Sequence, residues 1–139
     1  MAYMTEGRIV PNFSLAEMTN KQAADTVKLV LTPEVATFAQ MLQDLRNWYG
    51  KPLNVNSWYR TPAFNKRVGG SPTSAHLDGR AADLSGMPQD LYQDFTVAWQ
   101  VICSMYGKVG GVNYYGTYMH FTDYEDKFGN TEFVVRDKR

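Results

Sequence analysis

Cysteine is nearly absent from this sequence. Cys103 is the single example, so no disulfide can close within the chain and a zinc site built from several thiolates is excluded. Stability must come from buried apolar surface, and Cys103, set in an apolar run, reads as a buried and inert thiol. An excess of charge of one sign is also missing. The 14 Lys and Arg balance the 14 Asp and Glu, and a formal net charge of +0 offers no cationic surplus for a phosphate backbone, so nucleic acid is not an expected partner. No run approaches the ~20 apolar residues of a membrane-spanning helix. The opening MAYMTEGRIVPNFSL lacks the ~7–15-residue apolar centre of a signal peptide. The expectation is synthesis in the cytoplasm without a signal peptide and no membrane partner. Repeats, low-complexity segments and Gly/Pro-rich linkers are absent too, so residues 1–139 are expected to form one domain, and a monomer.

The chain does contain a core's worth of apolar residues, 44% of the total. Ser14-Leu15-Ala16-Glu17 is a capping box flanked by Phe13 and Met18 at the staple positions, which predicts a helix from Leu15 into the Ala23–Val27 region. Thr32 as N-cap, Pro33 at the first helical position and Gly50 past the end delimit a longer helix. Val35, Phe38, Leu42, Leu45 and Trp48 form its core stripe. Leu53–Tyr59 alternates as a strand and ends at the turn Arg60-Thr61-Pro62. Gly69–Thr73 is a loop, Asp78-Gly79 a turn, and Ala81–Leu84 a short strand. A second long helix starts near Pro88, carries Leu91, Phe95, Ala98, Trp99 and Ile102 on one stripe, and stops at Gly107. Val109–Tyr115, Tyr118–Asp123 and Glu132–Arg136 read as strands, with turns at Gly116-Thr117 and Gly129-Asn130. This order predicts an α+β fold, helices packed on a small, mainly antiparallel sheet.

The two histidines, His76 and His120, carry the chemistry. His76 sits in Ser74-Ala75-His76-Leu77-Asp78-Gly79-Arg80-Ala81-Ala82-Asp83. The turn reverses the chain into a strand on which Asp83 shares a face with Ala81 and can point back at His76. Alternation along Tyr118-Met119-His120-Phe121-Thr122 sends Met119 and Phe121 to the core and Tyr118, His120 and Thr122 to the other face. If the two strands are neighbours, two imidazoles and one carboxylate converge, a zinc ligand set with an open fourth position. Spacing alone leaves open whether the segments meet.

The pattern Ser74-x-His76-x-x-Gly79-x-Ala81-x-Asp83 resembles the S-x-H-x-x-G-x-A-x-D signature of the M15 zinc peptidases, the D-Ala-D-Ala carboxypeptidases and phage L-alanyl-D-glutamate endopeptidases. Asn12–Met18, Ser57–Pro62 with Asn65, Gly69–Ser71, and Gly110-Gly111-Val112-x-Tyr114-Tyr115 leading to His120 resemble the compact phage-type branch. The resemblance implies a Hedgehog/D-Ala-D-Ala-peptidase-like fold and a Zn2+ ion held by His76, Asp83 and His120. It also implies a peptidoglycan stem peptide as substrate, and a phage-lysin setting in which the protein reaches the cell wall after release. By the same resemblance Arg60 holds a substrate carboxylate or the developing oxyanion, and Ser74 stands beside the metal as a substrate contact or as a brace for His76. Trp58, Tyr59, Tyr114, Tyr115 and Tyr118 could line a substrate groove or serve as strand packing.

One departure stands out. Many family members carry an acid two or three residues before the final histidine, and here those positions are Tyr118 and Thr117. Asp78, Asp123 and Asp126 are the alternatives for a general base. Asp123 is slightly favoured as the nearest acid after His120, on condition that a bulge turns it inward. The missing acid keeps a second reading open, a non-catalytic zinc-containing binding or structural module of the same fold.

Overall fold

Two long helices cover one face of a five-stranded sheet and leave the other face to a polar row. The computed structural model describes residues 8–20, 22, 31–124 and 132–139. A hairpin of β1 (Arg8–Val10) and β2 (Phe13–Ser14) runs into α1 (Leu15–Met18). Ser14 caps this helix, and its backbone N–H donates back to Glu17 at 2.9 Å, completing the capping box. The helix ends after one turn, with Thr19 as its C-cap; the predicted continuation through Ala23–Val27 lies outside the described residues.

Helix α2 spans Pro33–Tyr49. It begins where the Thr32 hydroxyl accepts from the Val35 N–H at 3.2 Å, and it ends at Gly50, whose φ of 75° is a conformation open to glycine at no steric cost. β3 (Asn54–Ser57) follows, then a short helix α3 (Pro62–Arg67) that replaces the expected turn. Its signal is the same as that of α2: Thr61 as N-cap and Pro62 at the first position. Next come β4 (Ala81–Ser85), helix α4 (Tyr92–Met105), β5 (Gly111–Tyr114), β6 (Met119–Thr122) and β7 (Val134–Asp137).

The sheet order is β3-β4-β6-β5-β7. The three inner pairings are antiparallel and β7 joins the edge parallel to β5, so the sheet is mixed. Ala82, Leu84, Met119, Phe121, Val112 and Tyr114 face the helices and are buried. Phe121 meets Trp99 of α4 at 5.4 Å between ring centroids, and Trp99 in turn meets Phe38 of α2 at 5.9 Å. Trp48 departs from its expected place. The ring is 49% exposed and packs edge-on against Phe95 at 5.0 Å, because it lies at the rim of the α2–α4 contact rather than within it.

The opposite face carries one continuous row. Ser57 pairs with Asp83, Asp83 with His120, His120 with Asn113, and Asn113 with Arg136. Register partners on adjacent strands present their side chains to the same face, so these five polar residues cross the whole sheet side by side. The apolar partners on the other face fix this arrangement, since a one-residue slip would drive His120 into the core and expose Phe121 and Met119.

Candidate metal centre

His76 is placed by a 3-10 turn, Ala75–Asp78. The Ser74 hydroxyl accepts from the His76 N–H at 3.2 Å and caps the turn. Gly79, with φ 70°, closes the turn, and a Cβ there would meet the Val35 side chain at 3.1 Å. The Arg60 N–H donates to the His76 carbonyl at 2.9 Å, tying the turn to the segment after β3. The ring is fixed as well: Nδ1 lies 2.6 Å from the Trp58 carbonyl. A carbonyl only accepts, so Nδ1 carries the hydrogen and Nε2 keeps its lone pair for a metal.

That Nε2 lies 3.3 Å from Oδ1 of Asp83, and Nδ1 of His120 lies 2.8 Å from the same oxygen. Bonds of ~2.0–2.2 Å at the tetrahedral angle hold ligand atoms ~3.3–3.5 Å apart, so small movements suffice for the three donors to close on one zinc-sized ion. Ligand atoms from the three residues all fall within 4.8 Å of one another. Burial on its own would raise the Asp83 pKa. The facing imidazoles, His120 first and then His76, outweigh it and hold the carboxyl well below the usual carboxylate range. The aspartate is therefore ionised at neutral pH, the form that binds a cation. The donor set fits a divalent metal in identity and spacing.

Arg60 backs this cluster. Its NH2 group donates to Oδ2 of Asp83 at 3.3 Å, its Nε to the Ser57 hydroxyl at 3.0 Å, and its NH1 to Asn65 at 3.2 Å. The second carboxylate oxygen of Asp83 is thus engaged while the first faces the imidazoles, the usual logic of an outer shell that orients a ligand. Gly70 packs so closely here that a Cβ would collide with Asn65 and lie 2.9 Å from the Arg60 guanidinium.

The cluster opens into a cavity of about 510 Å³ whose wall includes Arg60, Ser74, Tyr118 and Arg136. Tyr118 stacks on Tyr115 with centroids 4.5 Å apart and planes at 10°. Burial, then the charge of Asp83, raises its phenol pKa, so the group is an O–H donor at neutral pH. A second cavity of about 700 Å³ adjoins the first across His120 and is bordered by Asp78 and Thr122. Sequence reasoning did not single out Asn113 or Arg136, which border both cavities. Their signal was the register of two strands, which no local motif carries.

The carboxylates divide differently from the expected order. β6 keeps its register through Thr122, so no bulge turns Asp123 toward His120. Asp123 is buried; its Oδ1 accepts from Arg80 Nε at 2.9 Å and its Oδ2 has no partner among the described residues. Burial raises its pKa against the opposing pull of Arg80. The structure therefore brings His76, Asp83, His120, Arg60, Ser74 and Tyr118 together and leaves Asp123 behind the sheet. Asp78 borders the site, and Asp126 lies outside the described residues.

Among known proteins, the family model described as Peptidase M15 matches residues 11–122, a stretch that contains all three donors of the cluster. No curated protein matches the chain.

Proposed function

This chain belongs to the M15 peptidase family, and on that premise we propose that it is a zinc metallopeptidase that cuts the stem peptides of bacterial peptidoglycan. The observation that carries the proposal is the convergence of His76 Nε2, Asp83 Oδ1 and His120 Nδ1 at one point of the sheet face. When bound there, the metal supplies Lewis acidity that polarises the scissile carbonyl and lowers the pKa of water.

The chain's own residues do the rest. The Trp58 carbonyl fixes the His76 tautomer, and Arg60 holds Asp83 in its ligating orientation. Arg60 and Tyr118 present N–H and O–H donors at the cavity wall, where they stabilise negative charge on the former carbonyl oxygen. Ser74 braces His76 through the turn it caps. Asp78, which borders the neighbouring cavity across His120, is the general-base candidate of this reading, taking a proton from attacking water and returning it to the leaving amine. The phage-lysin setting belongs to the same proposal, through the resemblance of residues 12–18 and 110–120 to the compact phage-type branch.

The test is release of new amino groups from purified peptidoglycan, measured with the protein as purified, after chelation, and after zinc is returned. Activity lost on chelation and restored by zinc supports the reading. Zinc binding without hydrolysis of peptidoglycan supports instead a non-catalytic module of the same fold, the reading that the engagement of Asp123 with Arg80 favours.

A further inference from the structure

The polar row across the sheet does not end at the metal cluster. Beyond His120 it continues through Asn113 to Arg136 on the edge strand β7. Lys138 follows at the alternate position, its backbone N–H donating to the Tyr114 carbonyl at 2.8 Å, so the strand geometry persists and both side chains lean to the same face. Arg136 and Lys138 both line the cavity that holds His76, Asp83 and His120. Among the described residues the cations of that wall are Arg60, Arg136 and Lys138, and its single carboxylate is Asp83, which belongs to the ligand set. The cationic character at the other end of the cavity therefore comes from β7, and β7 lies beyond the residues of the family match.

We propose that Arg136 and Lys138, with Asn113 between them and the cluster, form a subsite for a substrate carboxylate. The inference rests on the peptidase reading, which it deepens by naming the chemistry of the substrate and the distance at which that chemistry is read. Arg136 stands two strands away from His120, a separation of roughly 9–10 Å. An extended peptide advances ~3.3 Å per residue, so a chain crossing the row with its labile bond at the cluster sets a carboxylate at β7 about two to three residues away. The guanidinium fork suits a carboxylate in two-pronged contact, and Lys138 adds a mobile charge. The stacked pair Tyr115–Tyr118 forms the apolar side of the same passage.

Fluorophore-labelled short peptides, each with one glutamate walked through successive positions and a glutamine counterpart for each, test the subsite by fluorescence anisotropy with the zinc-loaded full chain. The parent is expected to favour glutamate over glutamine by roughly fivefold to tenfold at one position, with the preference shrinking as salt rises. Arg136→Gln with Lys138→Gln is expected to abolish that preference, so that the glutamate and glutamine peptides bind alike, and Arg136→Glu with Lys138→Glu to shift it toward a lysine-bearing peptide. Both positions are exposed on an edge strand, so a folded variant is expected, verified by its circular dichroism. No glutamate preference in the parent, or a preference that survives in the double glutamine variant, overturns the subsite. Because the readout is binding, a parent that prefers glutamate yet cleaves no peptide defeats the peptidase reading and upholds the subsite. A parent that cleaves without preference does the reverse.

Discussion

Nδ1 of His120 lies 2.8 Å from Oδ1 of Asp83, and the two residues are direct register partners on β6 and β4. The pair is therefore set by the sheet itself, and the sheet register is set by the apolar partners Ala82–Phe121 and Leu84–Met119 on the reverse face. Core packing and metal geometry are two faces of one pairing.

Asp83→Asn keeps the shape of the side chain and removes its charge. Loss of an outer-shell partner costs ~10–100-fold in metal affinity, and loss of a ligand is expected to exceed that, with peptidase activity falling in parallel. Zinc titration against a competing chelator measures the change. Unaltered affinity in this variant would remove Asp83 from the ligand set.

Arg60→Lys is expected to retain zinc when the metal is saturating but to lower kcat/KM by about 10–100-fold. A point charge cannot reproduce three N–H contacts at once, to Ser57, Asn65 and Asp83. Full turnover in this variant would show that the contacts to Asp83 and to substrate are dispensable.

Gly110→Ala tests how the core supports the site. Gly110 has φ 70°, and a Cβ there would collide with the Cys103 sulfur and stand 2.9 Å from the Thr122 carbonyl, next to the last turn of α4. Strained backbone and overpacking together are expected to cost about 2–4 kcal/mol. A lower urea midpoint with an unchanged slope is the expected result.

Cys103 supplies the pH prediction. Burial, reinforced by the charge of Asp123, pushes its thiol up to about 12. The folded value is raised above the unfolded one, so the contribution to stability is fully present below the ordinary thiol range and is lost as pH rises from about 9 toward 12. The expected observations are no alkylation of the native protein at pH ~8, where the thiolate fraction is on the order of one in ten thousand, and an alkaline decline in melting temperature that is shallower in Cys103→Ala. Rapid native-state alkylation would contradict the burial.

Much of this was legible before the structure. The bounds of α2 follow from Thr32, Pro33 and Gly50, and the alternation of Met119 to Thr122 survives unchanged in the burial of β6. The strand partners were not legible. Nothing local in Asp83 or His120 states that β4 and β6 are neighbours, and the place of Asn113 and Arg136 in the row depends on pairings made far along the chain. Asp123 shows the same limit from the other side. Its nearness in sequence to His120 made it a candidate base, while Arg80, distant in sequence, holds it beneath the sheet. Helix α3 went unread because Thr61-Pro62 serves a turn and a helix start equally well.

The most direct test of the account is the metal content of the purified protein by mass spectrometry, compared with His76→Ala, Asp83→Ala and His120→Ala. The expected result is one zinc per chain in the parent and loss of that zinc in each variant while the fold persists. A parent that takes up no zinc when zinc is offered, or variants that keep it in full, would contradict the assignment of these three side chains as the metal centre.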